Sequence, residues 1–220
     1  TPATARARIA AERARIIIHG QGFDEANERA KQVVAEVNGA YIHAFDDSAI
    51  WEGHASLVAE AVTQCPKPEA VVVAVGGGGL MSGLVLGMQR HGWADVPVIS
   101  VETEGAASFA AALAAGRLET LPAITSIANT LGARRVTAKA VDLAQVHPIR
   151  SVIVSDRSAV KACLAFADDQ RVIVEPACGA ALSLLYGRAD ALADFNSVLM
   201  IVCGGAGVTM DQLRAWEAVA

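Results

Sequence analysis

The sequence predicts an α/β fold: an open, mostly parallel sheet with helices on both faces. Runs rich in Val, Ile and Leu alternate along the chain with amphipathic stretches of helical period. The runs themselves, such as Val71–Val75 and Val96–Val101, are continuously apolar, as strands covered on both faces must be. With 220 residues, 53% of them hydrophobic and 19% charged, the chain has enough apolar material to cover a sheet twice.

Thr4–Arg15 mixes alanine and arginine in a helix-forming composition behind Pro2, a residue suited to a first turn. Arg15–His19 reads as a short strand and Gly20-Gln21-Gly22 as a turn. Asp24–Val34 has the spacing of an amphipathic helix, stopped at Asn38-Gly39. A second strand is expected over Ala40–Phe45, then a polar hinge, Asp46-Asp47-Ser48, and a helix over Ala49–Thr63. The alternation repeats in Val71–Val75 with Leu80–Arg90 and in Val96–Val101 with Ala106–Ala115. Further strands are expected near Val152–Val154, Val172–Val174 and Val198–Cys203. The hinge puts a domain crossing near residue 45, between part of a smaller α/β domain (1–44) and a larger one (45–220).

A net charge of −5 and a pI near 5.5 argue against nucleic acid or an anionic membrane as the main partner. The apolar runs VVVAV and VLMIVCGG break at glycine well short of a membrane span, so the chain reads as soluble. Cys65, Cys163, Cys178 and Cys203 are scattered, with no C-x-x-C and no histidine at zinc-ligand spacing, which fits the reduced thiols of a cytoplasmic enzyme. The first residues hold neither an initiator methionine nor a signal-peptide core, so the start reads as cut.

The stretch Val71–Met88, VVVAVGGGGLMSGLVLGM, joins a strand to a helix through Gly76, Gly77, Gly78 and Gly79. The first N–H groups of a helix are unpaired and the dipole adds positive charge, so bare backbone here lets a phosphate meet several amides at once. A tight turn alone would need only one or two glycines. A nucleotide triphosphatase loop would continue with lysine and a hydroxyl residue, whereas Leu80-Met81-Ser82 follow. A dinucleotide fold is the nearer rival, since Glu102 and Glu104 end the next strand about where a ribose-binding carboxylate sits. No register of Gly76–Gly83, however, gives the full G-x-G-x-x-G.

Four motifs then converge. VGGGGL at Val75–Leu80, VETEGAASF at Val101–Phe109, VEPACGAAL at Val174–Leu182 and VCGGAG at Val202–Gly207 resemble the pyridoxal-phosphate-dependent serine/threonine dehydratases. These are fold-type II enzymes, similar to the tryptophan synthase β chain. FDDSAIWEGHAS at Phe45–Ser56 is similar to the catabolic serine dehydratase branch, and the resemblance runs the length of the chain. It implies β-elimination on L-serine and L-threonine, giving pyruvate or 2-oxobutyrate and ammonia, in a cytoplasmic homodimer acting on small amino acids.

The resemblance also assigns residues. Gly76, Gly77, Gly78, Gly79 and Leu80 would hold the cofactor's 5′-phosphate through backbone amides, so no lysine is needed there. Cys203, with Gly204 after it, matches the residue facing the pyridine nitrogen. A thiol there is a neutral partner that leaves the nitrogen unprotonated and tempers the ring's electron demand. Taken alone, Cys203 reads as a small buried residue at a strand end. Glu102, Ala106, Ser108, Leu131 and Ala133, with the Gly76 carbonyl, match positions that hold a monovalent cation such as potassium. Locally, Glu102 reads equally well as a cap on the following helix. Glu175 is expected to be structural or to lie near that ion. His43 and His54 read as structural histidines, Asp46-Asp47 as a helix-start pair, and Trp51, Trp93 and Trp216 as packing.

The family's lysine, which bonds the cofactor aldehyde from an early S-x-K-x-R-G segment, has no counterpart. Lys31, Lys67, Lys139 and Lys161 all lack that context. Truncation ahead of residue 1 is therefore expected, and these residues alone are not expected to catalyse elimination. The rival readings are a serine racemase or threonine deaminase relative, and a non-catalytic phosphate-ligand-binding module without the lysine.

Overall fold

A computed structural model describes residue 1 and residues 3–219; Pro2 lies outside the described residues. The elements, in chain order, are α1 (Ala3–Ala11), α2 (Phe23–Val37), α3 (Ser48–Gln64), β1 (Ala70–Ala74), α4 (Gly79–Arg90), β2 (Val98–Thr103) and α5 (Ser108–Ala115). After them come α6 (Ala138–Ala144), β3 (Ile149–Val154), α7 (Asp156–Gln170), α8 (Pro176–Tyr186), β4 (Val198–Met200) and α9 (Met210–Val219), with single 3₁₀ turns at Asn129–Leu131 and Asp190–Leu192.

The four strands form one parallel sheet in the order β3-β2-β1-β4. β1 and β2 are buried at every residue; β1 is apolar throughout, while β2 also buries the polar Ser100, Glu102 and Thr103. Val71, Val73 and Val75 face one layer, packing with Val58 of α3, Leu84 and Met88 of α4, and Ala140 of α6. Ala70, Val72 and Ala74 point the other way, against Ala177, Ala180, Ala181 and Leu184 of α8. Small residues on α8 let that helix sit close to the sheet. α9 closes a third cluster, in which Leu213 packs with Cys163 of α7 and Leu182 of α8.

The helices begin and end on their own local chemistry. Asp47 caps α3 by accepting the Ala49 N–H at 2.8 Å, and Ser155 caps α7 by accepting the Ser158 N–H at 3.2 Å. α2 ends at Asn38, whose φ of 49° lies in the left-handed region that asparagine tolerates.

Three expected strands do not form. At Arg15–His19 and Ala40–Phe45 no neighbouring strand is available among the described residues, and Ile18 and Ile42 are 69% and 73% exposed. His43 instead turns the chain, its Nδ1 accepting the N–H groups of Phe45 and Asp46 at 3.2 and 2.9 Å. Val172–Val174 is irregular because Val174 is buried in the α7–α8–α9 cluster while Gly205 closes over the Ile173 carbonyl. The last strand is also shorter than expected. Ile201 still donates to the Val72 carbonyl at 2.9 Å, after which the chain leaves the sheet.

α4 carries the stability of the central layer. Leu84→Ala, at a fully buried position, is expected to cost about 2–5 kcal/mol, and Ile18→Ala at an exposed one under about 0.5 kcal/mol. Urea midpoints of the two variants check this ordering.

Candidate cofactor site

In a parallel sheet the loops that follow the strands gather at one edge, and ligands bind where the connections diverge to opposite sides. The order β3-β2-β1-β4 puts that divergence between β1 and β4. The glycine loop follows β1 and Cys203 follows β4, so two motifs far apart in sequence leave adjacent strands side by side.

Val75 makes the last sheet bond, its N–H donating to the Val101 carbonyl at 2.8 Å. Gly78, at φ 87°, turns the backbone through the left-handed region, and Ser82 N–H to Gly78 carbonyl at 2.9 Å is the first bond of α4. Between these two bonds, the N–H groups of Gly76 through Met81 have no acceptor among the described residues. The other side of the loop is fully used. Gly77 accepts the Thr137 N–H at 2.9 Å, and a Cβ on Gly76 would lie 2.9 Å from the Leu131 Cα. A Cβ on Gly77 would enter the Phe45 ring, and one on Gly79 would meet the Phe45 backbone. Phe45 is fixed in turn by Trp51, whose indole N–H donates to the Phe45 carbonyl at 2.7 Å.

Beyond β4, Cys203 is half-buried against the cluster that holds Val73 and Val75. Its N–H donates to Cys178 Sγ, in the first turn of α8, at 3.3 Å. Gly204 takes φ 71°, and a side chain there would press on Glu175 Oε1. That same oxygen accepts the Thr130 hydroxyl at 2.8 Å. Glu175 thus links the VCGGAG loop to the turn that backs Gly76.

Glu102 is fully buried near the end of β2, and its two oxygens accept the N–H groups of Phe109 and Ala110, each at 2.8 Å. It therefore caps α5, the local reading of this residue. Burial outweighs those two bonds and raises its pKa from 4.5 to about 7. Ser108 Oγ is buried nearby in the chain without a partner among the described residues. Ala106 and Leu131 belong to one packed cluster, and the Leu131 carbonyl accepts the Ala133 N–H at 2.8 Å. No three His, Cys, Asp or Glu side chains gather as a metal site among the described residues.

Among the remaining polar candidates, His43, Asp46 and Lys67 have structural partners. The His43 ring packs edge-on against Phe45 at 4.5 Å, and burial alone lowers the pKa of His54. Asp46 accepts the Thr137 hydroxyl, tying the hinge to α6. Lys67 precedes β1, at the sheet edge opposite the glycine loop, and its ammonium bonds the Gly92 carbonyl and Asp95. An open hollow of about 370 Å³ lies beside the site, beyond β2 and β3, lined by Glu104, Thr125, Asp156 and Arg157. Phe45, Thr130 and Cys178 were not singled out by sequence reasoning. A lone phenylalanine, a threonine in a loop and a buried cysteine carry no signal until the fold brings them to the two glycine segments.

Residues 1–204 match the family described as "Pyridoxal-phosphate dependent enzyme". The human protein named L-serine dehydratase/L-threonine deaminase is 47% identical over 225 residues, covering 98% of this chain and 69% of its own. An L-serine dehydratase of Dictyostelium discoideum is 41% identical, covering 94% of this chain and 63% of its own. A crystal structure of an L-serine ammonia-lyase from the fungus Rhizomucor miehei superposes with a TM-score of 0.93 at 34% identity, over 99% of this chain and 71% of that one.

The buried Glu102 gives the fold a pH signature. Between 4.5 and about 7 the folded protein keeps the proton that the unfolded chain has released, so stability falls as pH rises through that window. The loss is on the order of 3 kcal/mol. Urea unfolding in potassium-free buffer across this range should show it, and Glu102→Gln should remove most of the slope.

Proposed function

We propose that this chain, which belongs to the pyridoxal-phosphate dependent enzyme family, is the cofactor-binding body of an ammonia-lyase acting on L-serine and L-threonine. The products are pyruvate or 2-oxobutyrate together with ammonia. The observation that carries this reading is the row of unpaired amides from Gly76 to Met81 at the divergence of β1 and β4. A dianionic phosphate needs several converging donors, and these amides have no other use, so the residues fit pyridoxal phosphate.

Once bound, pyridoxal phosphate supplies the electron sink for the bond broken at the amino acid's Cα. The residues of this chain hold and tune it. Gly76, Gly77, Gly78, Gly79 and Leu80 would hold its phosphate through backbone N–H groups, without a side-chain cation. Cys203, followed by the left-handed Gly204, would be the neutral partner of the ring nitrogen. The lysine that bonds the cofactor aldehyde is not assigned to any residue of this chain. The exposed ion pairs of Lys31 with Glu28 and of Lys67 with Asp95 support leaving those two out.

Glu102, Ala106, Ser108, Leu131, Ala133 and the Gly76 carbonyl are proposed to bind a monovalent cation, with K⁺ as the candidate. The buried Glu102 carboxyl and the unpartnered Ser108 hydroxyl support this. Residues 1–44 are read as part of a smaller domain and 45–220 as the larger one; the lack of any buried residue in α1 and α2 supports the division. A cytoplasmic homodimer is the expected form. No helix among the described residues is long and apolar enough to cross a membrane.

Turnover of L-serine and L-threonine by the holoenzyme, followed by ammonia and 2-oxoacid release, tests the reaction; inertness toward both would overturn it. Gly77→Asp puts a like charge on the phosphate seat and bulk into the Phe45 ring. Saturable uptake of pyridoxal phosphate, read by absorbance, should be lost in this variant, and retained saturation would contradict the site.

A further inference from the structure

Of the four cysteines, all free thiols, two meet across the site. Cys178 is fully buried in the first turn of α8; Cys203 is half-buried in the loop after β4. The Cys203 N–H donates to Cys178 Sγ at 3.3 Å, which brings the second residue's backbone onto the first residue's sulfur. The neighbouring Cys203 thiol and burial raise the pKa of Cys178, and the neighbouring Cys178 thiol lowers that of Cys203. The other two cysteines are differently placed. Cys65 ends α3 and donates to the Ala61 carbonyl at 3.4 Å. Cys163 is enclosed on α7 against Gly179, and burial raises its pKa to about 12.

We propose that Cys178 and Cys203 are a reversible redox pair, closed to a disulfide by a peroxide, and that closure withdraws the Cys203 thiol from the cofactor. The second half rests on the reading of Cys203 as the ring-nitrogen partner. Cys203 is the attacking sulfur because it is the more exposed and the less tightly protonated of the two. Its thiolate attacks one peroxide oxygen, the O–O bond breaks, and the departing hydroxide takes a proton to leave as water, giving a sulfenic acid. The Cys178 sulfur then attacks that sulfur. The S–S bond forms, the S–O bond breaks, and the hydroxyl leaves as a second water with the Cys178 proton. The two thiols lose two electrons and the peroxide gains them. A thiol reductant reverses the bond by exchange. The closeness set by the Cys203 N–H on Cys178 Sγ favours this pair, since a disulfide tolerates little separation of its two residues.

The experiment treats the holoenzyme with hydrogen peroxide, quenches it, and maps the thiols. Trypsin places Cys163, Cys178 and Cys203 on separate peptides, cutting after Arg171, Arg188 and Arg214. The expected result is a fall from four free thiols to two in this chain, a mass loss of about 2 Da, and one cross-link joining residues 172–188 to residues 189–214. Cofactor absorbance should be lost on oxidation and return with dithiothreitol. Cys65→Ser should behave as the unmodified protein does, while Cys178→Ser should give no cross-link. Retention of all four thiols, or a Cys163–Cys178 bond in its place, would overturn the pair. A Cys178–Cys203 bond that leaves cofactor absorbance unchanged would uphold the pair and overturn the placement of Cys203 beside the ring.

Discussion

The glycine loop is the constraint on which the rest of the structure depends, because its two sides do opposite things. One side is packed against backbone and an aromatic ring so closely that a Cβ at Gly76, Gly77 or Gly79 would collide with Leu131 or Phe45. The other side presents amides that have no acceptor among the described residues. A free loop of this composition would be mobile and costly to order. Here Phe45, Trp51, Thr137 and the Thr130–Leu131 turn fix its shape in advance, so ligand binding need not supply the ordering.

The chain order of the motifs follows from this arrangement. FDDSAIWEGHAS supplies the ring over Gly77 and the helix against which α4 packs, so its resemblance to one family branch has a packing cause. VEPACGAAL and VCGGAG lie in different elements yet meet through Cys178, Glu175 and Gly204. VETEGAASF caps its own helix through Glu102. VGGGGL, VEPACGAAL and VCGGAG meet at the carboxyl edge of the sheet, where the parallel topology brings them together.

The sheet was legible because its two central strands are buried on both faces, so that β1 is apolar throughout and β2 carries Val98, Ile99 and Val101. The same rule misread Arg15–His19 and Ala40–Phe45. Their apolar runs resemble strands locally, but a strand exists only with a partner, and none stands beside them among the described residues. In the site, the glycines could be read because their cost demands a reason. Phe45, Thr130 and Cys178 could not, since each matters only through a contact with a residue distant in sequence. Glu102 was ambiguous in sequence because a buried carboxylate can cap a helix or face an ion, and the cap on α5 is visible in the fold.

The most direct measurement is a calorimetric comparison of pyridoxal phosphate with unphosphorylated pyridoxal as ligands of the cofactor-free protein. If the amides of Gly76–Met81 are the seat of the phosphate, removing that group discards several charge-assisted hydrogen bonds, and affinity should drop by about a hundredfold or more. Equal affinity for the two compounds would contradict the assignment, because the ring would then be bound by groups other than the glycine loop.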